Sequence, residues 1–292
     1  MTEILEPVQP PVPPKEHDSS CPFCSKEPPP NLTSKIGKHN DPKELENNLA
    51  ENGYARADVY FYHEDYGEYS KEPHHLVPGN EALKGHDIEA YLSTEAVGTF
   101  VDSDTGFNIN HAKNGQWLPS ITDENRICKW ETIKQTAGGK TIYKRIPAAS
   151  EKGKKLWSQL SEDEKDLISF AIMNKEHMQF HKGNHRNKGS KPDECYIKEV
   201  HRLLNGLYDY VLAAESLCPD AETAGETVDP PPYGLNDLIY AVACGHMKWH
   251  VNGPAESWFV FISPLARRCY QYAIDEGKKP WDAPHPGHPN RA

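Results

Sequence analysis

The sequence predicts an α+β protein, and three observations carry that prediction. Short aromatic and β-branched runs, at 57–62 and at Thr141-Ile142-Tyr143 beside Gly138-Gly139, read as a strand and as part of a hairpin. The capping box Ser161-Glu162-Asp163-Glu164 opens a helix that runs towards Asn174. Residues 194–214 carry Ile197, Val200, Leu203, Leu204 and Leu207 on one side at helical spacing.

The elements follow in chain order. Residues 1–39 are rich in proline, including Pro28-Pro29-Pro30, and are expected to form an extended, largely disordered arm. A short helix is expected over 40–53, with Asp41 as cap and Pro42 in its first turn. The strand at 57–62 comes next, then Pro73-His74-His75, then a helix over 80–92. Asn114-Gly115 marks a turn from which Trp117-Leu118 returns to apolar surroundings. Basic, irregular sequence and the hairpin fill 121–160, and 218–232 is an acidic, proline-ending linker. Helices are expected over 236–249 and 264–273, with a strand between them at 258–262. Three regions result: the arm, a domain over 40–217 with an insertion at 120–176, and a mainly helical region over 218–292.

Charge is distributed unevenly. Residues 126–202 carry 17 Lys and Arg against 10 Asp and Glu, whereas 1–72 carry 7 against 14, 73–125 carry 2 against 8, and 203–292 carry 6 against 11. A basic block in an acidic chain reads either as a phosphate-facing surface or as a solvated lysine-rich face. Its candidate nucleic-acid contacts are Lys144, Arg145, Lys152, Lys154, Lys155, Lys182 and Arg186. The longest apolar run, 238–244, is far short of the roughly 18 residues that span a bilayer, so no membrane partner is expected. The segment Met1-Thr2-Glu3-Ile4-Leu5-Glu6 lacks the basic and apolar regions of a signal peptide, giving the expectation of a chain made in the cytoplasm and exported, if at all, by another route.

Seven cysteines, at 21, 24, 128, 195, 218, 244 and 269, are too sparse for a disulfide scaffold and fit a reducing compartment. Cys21-Pro22-Phe23-Cys24 reads as half of a zinc knuckle, with His17 or a distant cysteine as candidates to complete it. The more informative stretch is His74-His75, two imidazoles between Pro73 and Pro78. Neighbours on a regular strand point to opposite faces, so both rings can serve one site only where the backbone leaves strand geometry. One histidine binding a metal and its neighbour taking a proton would suit phosphodiester hydrolysis.

His74-His75, Gly106-Phe107-Asn108-Ile109 with Asn114-Gly115-Gln116-Trp117-Leu118-Pro119, His181-x-x-x-His185, and Tyr196 occur in that order. Over about 71–205 this arrangement resembles the HNH/endonuclease VII superfamily, most closely the AHH group of toxin nucleases. The resemblance implies a ββα-metal core surrounded by helices. It implies that His74, His181 and His185 hold a divalent ion (Mg, Mn or Zn). His75 would be the general base, and Asn114 would orient His75 or position the hairpin. Residues four apart on a helix share a face, which would let His181 and His185 reach one ion; His177 and His181 form a rival pair. His86 and His111 read as structural or surface residues.

The function implied is a non-specific DNA endonuclease acting as an antibacterial toxin. It would be delivered into a target cell without a signal peptide by a type VI or similar secretion apparatus, held by an adaptor, and neutralised by a cognate immunity protein. Two alternatives stand beside it: a non-catalytic zinc-containing module that binds nucleic acid, and an RNA-directed nuclease.

Overall fold

A computed structural model describes residues 20–24, 27–36, 40–54, 61–63, 67–92, 104–120, 130–137, 140–147, 159–181, 196–224, 227–252 and 260–277. The chain is a mixed α and β structure. It divides into two compact units that interleave along the sequence: Met1–Asp41, His75–Asn114 and Ile197–Met247 form the first, and Pro42–His74, Gly115–Tyr196 and Lys248–Ala292 the second. The serial division expected from sequence differs, because residues 218–247 belong with the first unit.

The second unit opens with α1 (Pro42–Glu51), where proline suits a first turn whose N–H groups lack intrahelical partners. Leu45 and Leu49, one turn apart, are its buried face. A three-stranded sheet in the order β1-β2-β3 follows, built from β1 (Phe61–His63), β2 (Gly67–His75) and β3 (Gly115–Ser120). β1 and β2 are antiparallel, with Phe61 opposite Tyr69 and His63 opposite Gly67. Of the strand expected at 57–62 only its last two residues lie among those described. β4 (Trp130–Ala137) and β5 (Lys140–Pro147) pair antiparallel as the expected hairpin, with Ala137 opposite Lys140.

Helix α2 (Glu162–Glu176) begins as predicted. Ser161 Oγ accepts the Glu164 N–H at 3.2 Å, and the Glu164 carboxylate accepts the Ser161 N–H at 2.9 Å. It ends at His177, whose φ of 52° is left-handed. Beyond it the fully buried Gln179 holds the chain extended. Its backbone N–H donates to Val251 O, its side-chain amide donates to His250 O and Val260 O, and its side-chain oxygen accepts the Ile262 N–H. Helix α6 (Pro264–Asp275), capped by Ser263, packs against α2, with Phe170 tilted on Tyr272 and Arg268 bonded to Glu162 and Asp166. The strand expected at 258–262 is not formed over 260–262, where only Phe261 makes an isolated bridge.

The first unit is organised around α3 (Tyr196–Leu217), whose Val200, Leu204 and Val211 are fully buried. The single helix expected at 80–92 is instead a π-helical turn, Gly79–Leu83, and a 3₁₀ turn, Asp87–Tyr91. Gly85, with a φ of 79°, interrupts them, and His86 Nδ1 caps the second turn by accepting the Ile88 N–H. The expected linker contains a small hairpin, β6 (Glu222–Ala224) with β7 (Thr227–Asp229). α4 (Gly234–Ala241) continues as a π-helical segment, Val242–Met247, after which α5 (Lys248–Asn252) belongs to the second unit. Of the arm expected over 1–39, residues 20–24 and 27–36 are described: Phe23 is fully buried, and Lys35 exchanges backbone hydrogen bonds with Phe107 and Ile109. Among the described residues, no helix is long and apolar enough to cross a membrane.

Candidate functional site

His74 and His75 are the last two residues of β2, and the chain bends at Leu76-Val77 immediately after them. Both rings are buried, at 1% and 5% exposure, which removes a solvent-facing loop pair as an explanation. The boundary between the two units falls between them.

Within the second unit, His74 Nε2 lies 3.3 Å from Tyr196 Oη, and the two rings meet edge to face with centroids 5.5 Å apart. The His181 ring centroid is 5.3 Å from that of His74. Glu72, two residues before His74 and so on the same side of the strand, places a carboxylate oxygen 3.8 Å from His181 Nδ1. Ser120 Oγ donates to the same oxygen at 3.1 Å. Burial keeps the Tyr196 phenol well above its ordinary pKa, so it remains protonated.

His181 reaches this group by a route other than the expected one. It is not helical: its N–H donates to Pro119 O at 2.7 Å, in a parallel bridge with Ser120 of β3. The one-turn spacing invoked for the 181/185 and 177/181 pairs therefore does not act at His181, and the left-handed backbone of His177 already ends α2. The remaining candidate ligand, His185, lies outside the described residues, as do Lys152, Lys154, Lys155, Lys182 and Arg186; Lys144 and Arg145 are described only as backbone of β5.

Within the first unit, His75 Nε2 bonds to Asn110 Oδ1 at 2.9 Å. Burial lowers the His75 pKa below the usual histidine value, against the opposing effects of the Asn110 bond and the Asp41 charge. Asn114 makes no side-chain hydrogen bond to His75. Its amide nitrogen donates to Val77 O at 3.0 Å and Ile109 O at 2.8 Å, and its oxygen accepts the Val77 N–H at 2.9 Å. Asn114 is thus a fully engaged brace for the bend after the histidines. The orienting role considered for it belongs to Asn110, which stands inside the Phe107-Asn108-Ile109-Asn110-His111 stretch but has no distinguishing local signal. Glu72 was likewise not singled out; its one sequence cue is its i, i+2 relation to His74.

His86 and His111 each have a side-chain partner far away in sequence. His86 bonds to Asn205, and His111 stacks on Tyr240 with centroids 4.7 Å apart. Also in the first unit, Cys21, Cys24 and Cys218 bring their sulfurs within 4.8 Å of one another and could hold a metal ion. Among the described residues this is the only such group of three or more Cys, His, Asp or Glu ligands.

Comparison of the chain with protein-family models, with curated proteins and with solved structures returned no match.

Proposed function

We propose that the chain is a metal-dependent endonuclease of the HNH/AHH type, cutting DNA as an antibacterial toxin. The observation that carries this reading is a pair of consecutive buried histidines with different partners, His75 on Asn110 and His74 beside Tyr196 and His181. Asn110 Oδ1 also accepts the Asp41 backbone N–H, which identifies it as the amide oxygen. His75 Nε2 must therefore carry the proton it shares with Asn110, and Nδ1 keeps the lone pair. A neutral, oriented imidazole is what a general base for water activation requires.

Around His74 stand donor types that a divalent ion takes, although their ligand atoms do not converge as the three sulfurs do. Two imidazoles and a carboxylate form a mixed N/O donor set of the kind that binds zinc or manganese. His74 and His181 would hold the ion, with Glu72 or His185 completing the set. Tyr196 would accept the His74 Nε2–H, leaving Nδ1 as the ligand nitrogen. The ion would supply charge stabilisation at the scissile phosphate. His75 would take the proton of the attacking water as the new O–P bond forms and the bond to the leaving oxygen breaks. In this reading the ββα-metal core is the one the resemblance implies, the basic 126–202 block faces the DNA backbone, and an immunity protein protects the producing cell.

The direct test is degradation of plasmid DNA by the full chain, with and without a chelator, beside His75→Ala. Loss of cleavage in both the chelated and the variant samples is expected. Uncut plasmid under all metal conditions would instead favour a zinc-containing nucleic-acid-binding module, the reading that the three-cysteine group supports.

A further inference from the structure

The described cysteines have different surroundings. Cys244 is exposed and bonds to Lys113 O, whereas Cys269 is buried in α6. Cys21, Cys24 and Cys218 converge, and none of the three is in a disulfide. The Cys24 and Cys218 sulfurs are 3.8 Å apart. An ion that holds thiolates tetrahedrally at about 2.3 Å sets neighbouring sulfurs roughly 3.8 Å apart, whereas a disulfide needs about 2.05 Å.

The frame that presents these sulfurs is built from the first unit alone. Cys21-Pro22-Phe23-Cys24 closes as a turn through Cys24 N–H to Cys21 O at 3.2 Å, with proline in the second position, which its fixed φ suits. Phe23 anchors the turn by complete burial, and Tyr210 of α3 donates to Ser20 O at 3.0 Å. Gly234 N–H donates to Pro22 O, and a Cβ at Gly234 would stand 2.9 Å from Pro22 Cα, so α4 approaches the turn as closely as glycine permits. Cys218 follows directly on α3 and continues its hydrogen bonding to Ala214 O at 2.8 Å. The end of a 22-residue helix carries partial negative charge, which favours a cation beside it.

We propose that Cys21, Cys24 and Cys218 bind a zinc ion that ties the Ser20–Cys24 turn to the C-terminal end of α3. The site is structural and separate from the histidine chemistry. An all-sulfur donor set selects a soft or borderline ion over magnesium, calcium or manganese. A dication at their centre favours the thiolate form of its ligands and releases their protons on binding. Three sulfurs converge among the described residues; His17, the other candidate to complete the set, lies outside them. Because the ion joins residues 194 apart in sequence, it closes a long loop and raises the melting temperature by binding the folded state.

The experiment uses the full chain purified under reducing conditions. Elemental analysis is expected to find zinc, and cobalt(II) added to stripped protein to give thiolate-to-metal charge-transfer absorption. Thiol alkylation mapped by mass spectrometry should show Cys21, Cys24 and Cys218 protected by added zinc, with Cys244 modified equally in both states. Cys24→Ser and Cys218→Ser should weaken cobalt binding by at least ~10–100-fold, whereas His74→Ala and His181→Ala keep the charge-transfer band. Absence of the band in the wild-type chain, equal alkylation with and without zinc, iron in place of zinc, or a Cys24–Cys218 disulfide would each overturn the proposal. None of these readouts depends on nuclease activity.

Discussion

His75 Nε2 sits 2.9 Å from Asn110 Oδ1, and that same oxygen accepts the Asp41 backbone N–H at 3.1 Å. The pair fixes the imidazole tautomer in a buried setting whose desolvation holds the His75 pKa below 6.5. Folding is therefore linked to pH through this ring. Below 6.5 the unfolded chain binds a proton that the folded chain resists, so the stability contribution is complete above that pH and is lost as pH falls towards the lowered folded value. Burial acts in the same direction on His86 and His111. Thermal melts of wild type and His75→Gln across pH 5 to 8 should therefore differ in slope, the variant losing less stability on acidification. Parallel curves would remove His75 from the linkage.

Asn110 offers a sharper probe of the proposed reaction, because it would act there through its bond to His75. Asn110→Asp retains an acceptor for both Nε2–H and the Asp41 N–H but adds negative charge, which favours imidazolium. The acid limb of the cleavage profile should then move to higher pH. Asn110→Ala removes the acceptor, so the ring loses its orientation and the rate falls by about 10–100-fold without that upward displacement. Identical pH profiles for all three proteins would leave Asn110 a structural residue.

How far this region was legible varies with the range of the forces that make it. The α2 start was readable because Ser161 and Glu164 satisfy each other's backbone within one turn. The buried stripe of α3 and the Gly138-Gly139 hairpin were readable for the same reason: their periodicity or turn chemistry is local. The His75 partner was not, since Asn110 stands 35 residues away beside other asparagines. The environment of His181 was hidden too. Gln179, with nothing in its neighbourhood to mark it, collects four hydrogen bonds from distant backbone and turns a helical-looking stretch into an extended one. The three-cysteine group was half visible, as the Cys21/Cys24 spacing announces itself while Cys218 is recruited by the fold.

Asn114 was read as a turn residue and a catalytic candidate, and its bonds give it a different weight. Replacing it by alanine leaves Val77 N–H, Val77 C=O and Ile109 C=O buried without their partner. The cost should be about 2–4 kcal/mol, visible as a reduced denaturation midpoint at unchanged m-value. Folded Asn114→Ala protein should retain metal binding. A variant as stable as wild type would mean that these bonds are replaced by water.

Gly115 completes the same Asn-Gly pair, yet it is chosen for space rather than for a positive φ. A Cβ there would lie 2.7 Å from Leu45 Cδ1 and 3.0 Å from Leu49 Cδ2, both on fully buried side chains of α1. Gly115→Ala should cost about 1–3 kcal/mol through overpacking. Leu45→Ala in the same chain should recover part of that loss by opening the volume the new methyl needs. Strictly additive effects would show that β3 and α1 do not compete for this space.

The most discriminating comparison is between the two neighbours at the end of β2. If His75 serves as the base alone, His75→Ala leaves the ligand set around His74 and His181 untouched and removes only the step that deprotonates water. Cleavage should fall by ~10²–10⁴-fold, the usual range for general-base catalysis, with metal content and DNA affinity nearly unchanged. His74→Ala removes a ring packed against Tyr196 and His181, so metal affinity falls first and cleavage is recovered in part by excess metal. The two substitutions, one residue apart in sequence, should fail in different ways, which a purely structural zinc site does not require. Metal stoichiometry, DNA affinity and cleavage rate measured side by side decide it. Wild-type cleavage by His75→Ala would refute the nuclease assignment of this pair, and rescue of that variant by added metal would move His75 from base to ligand.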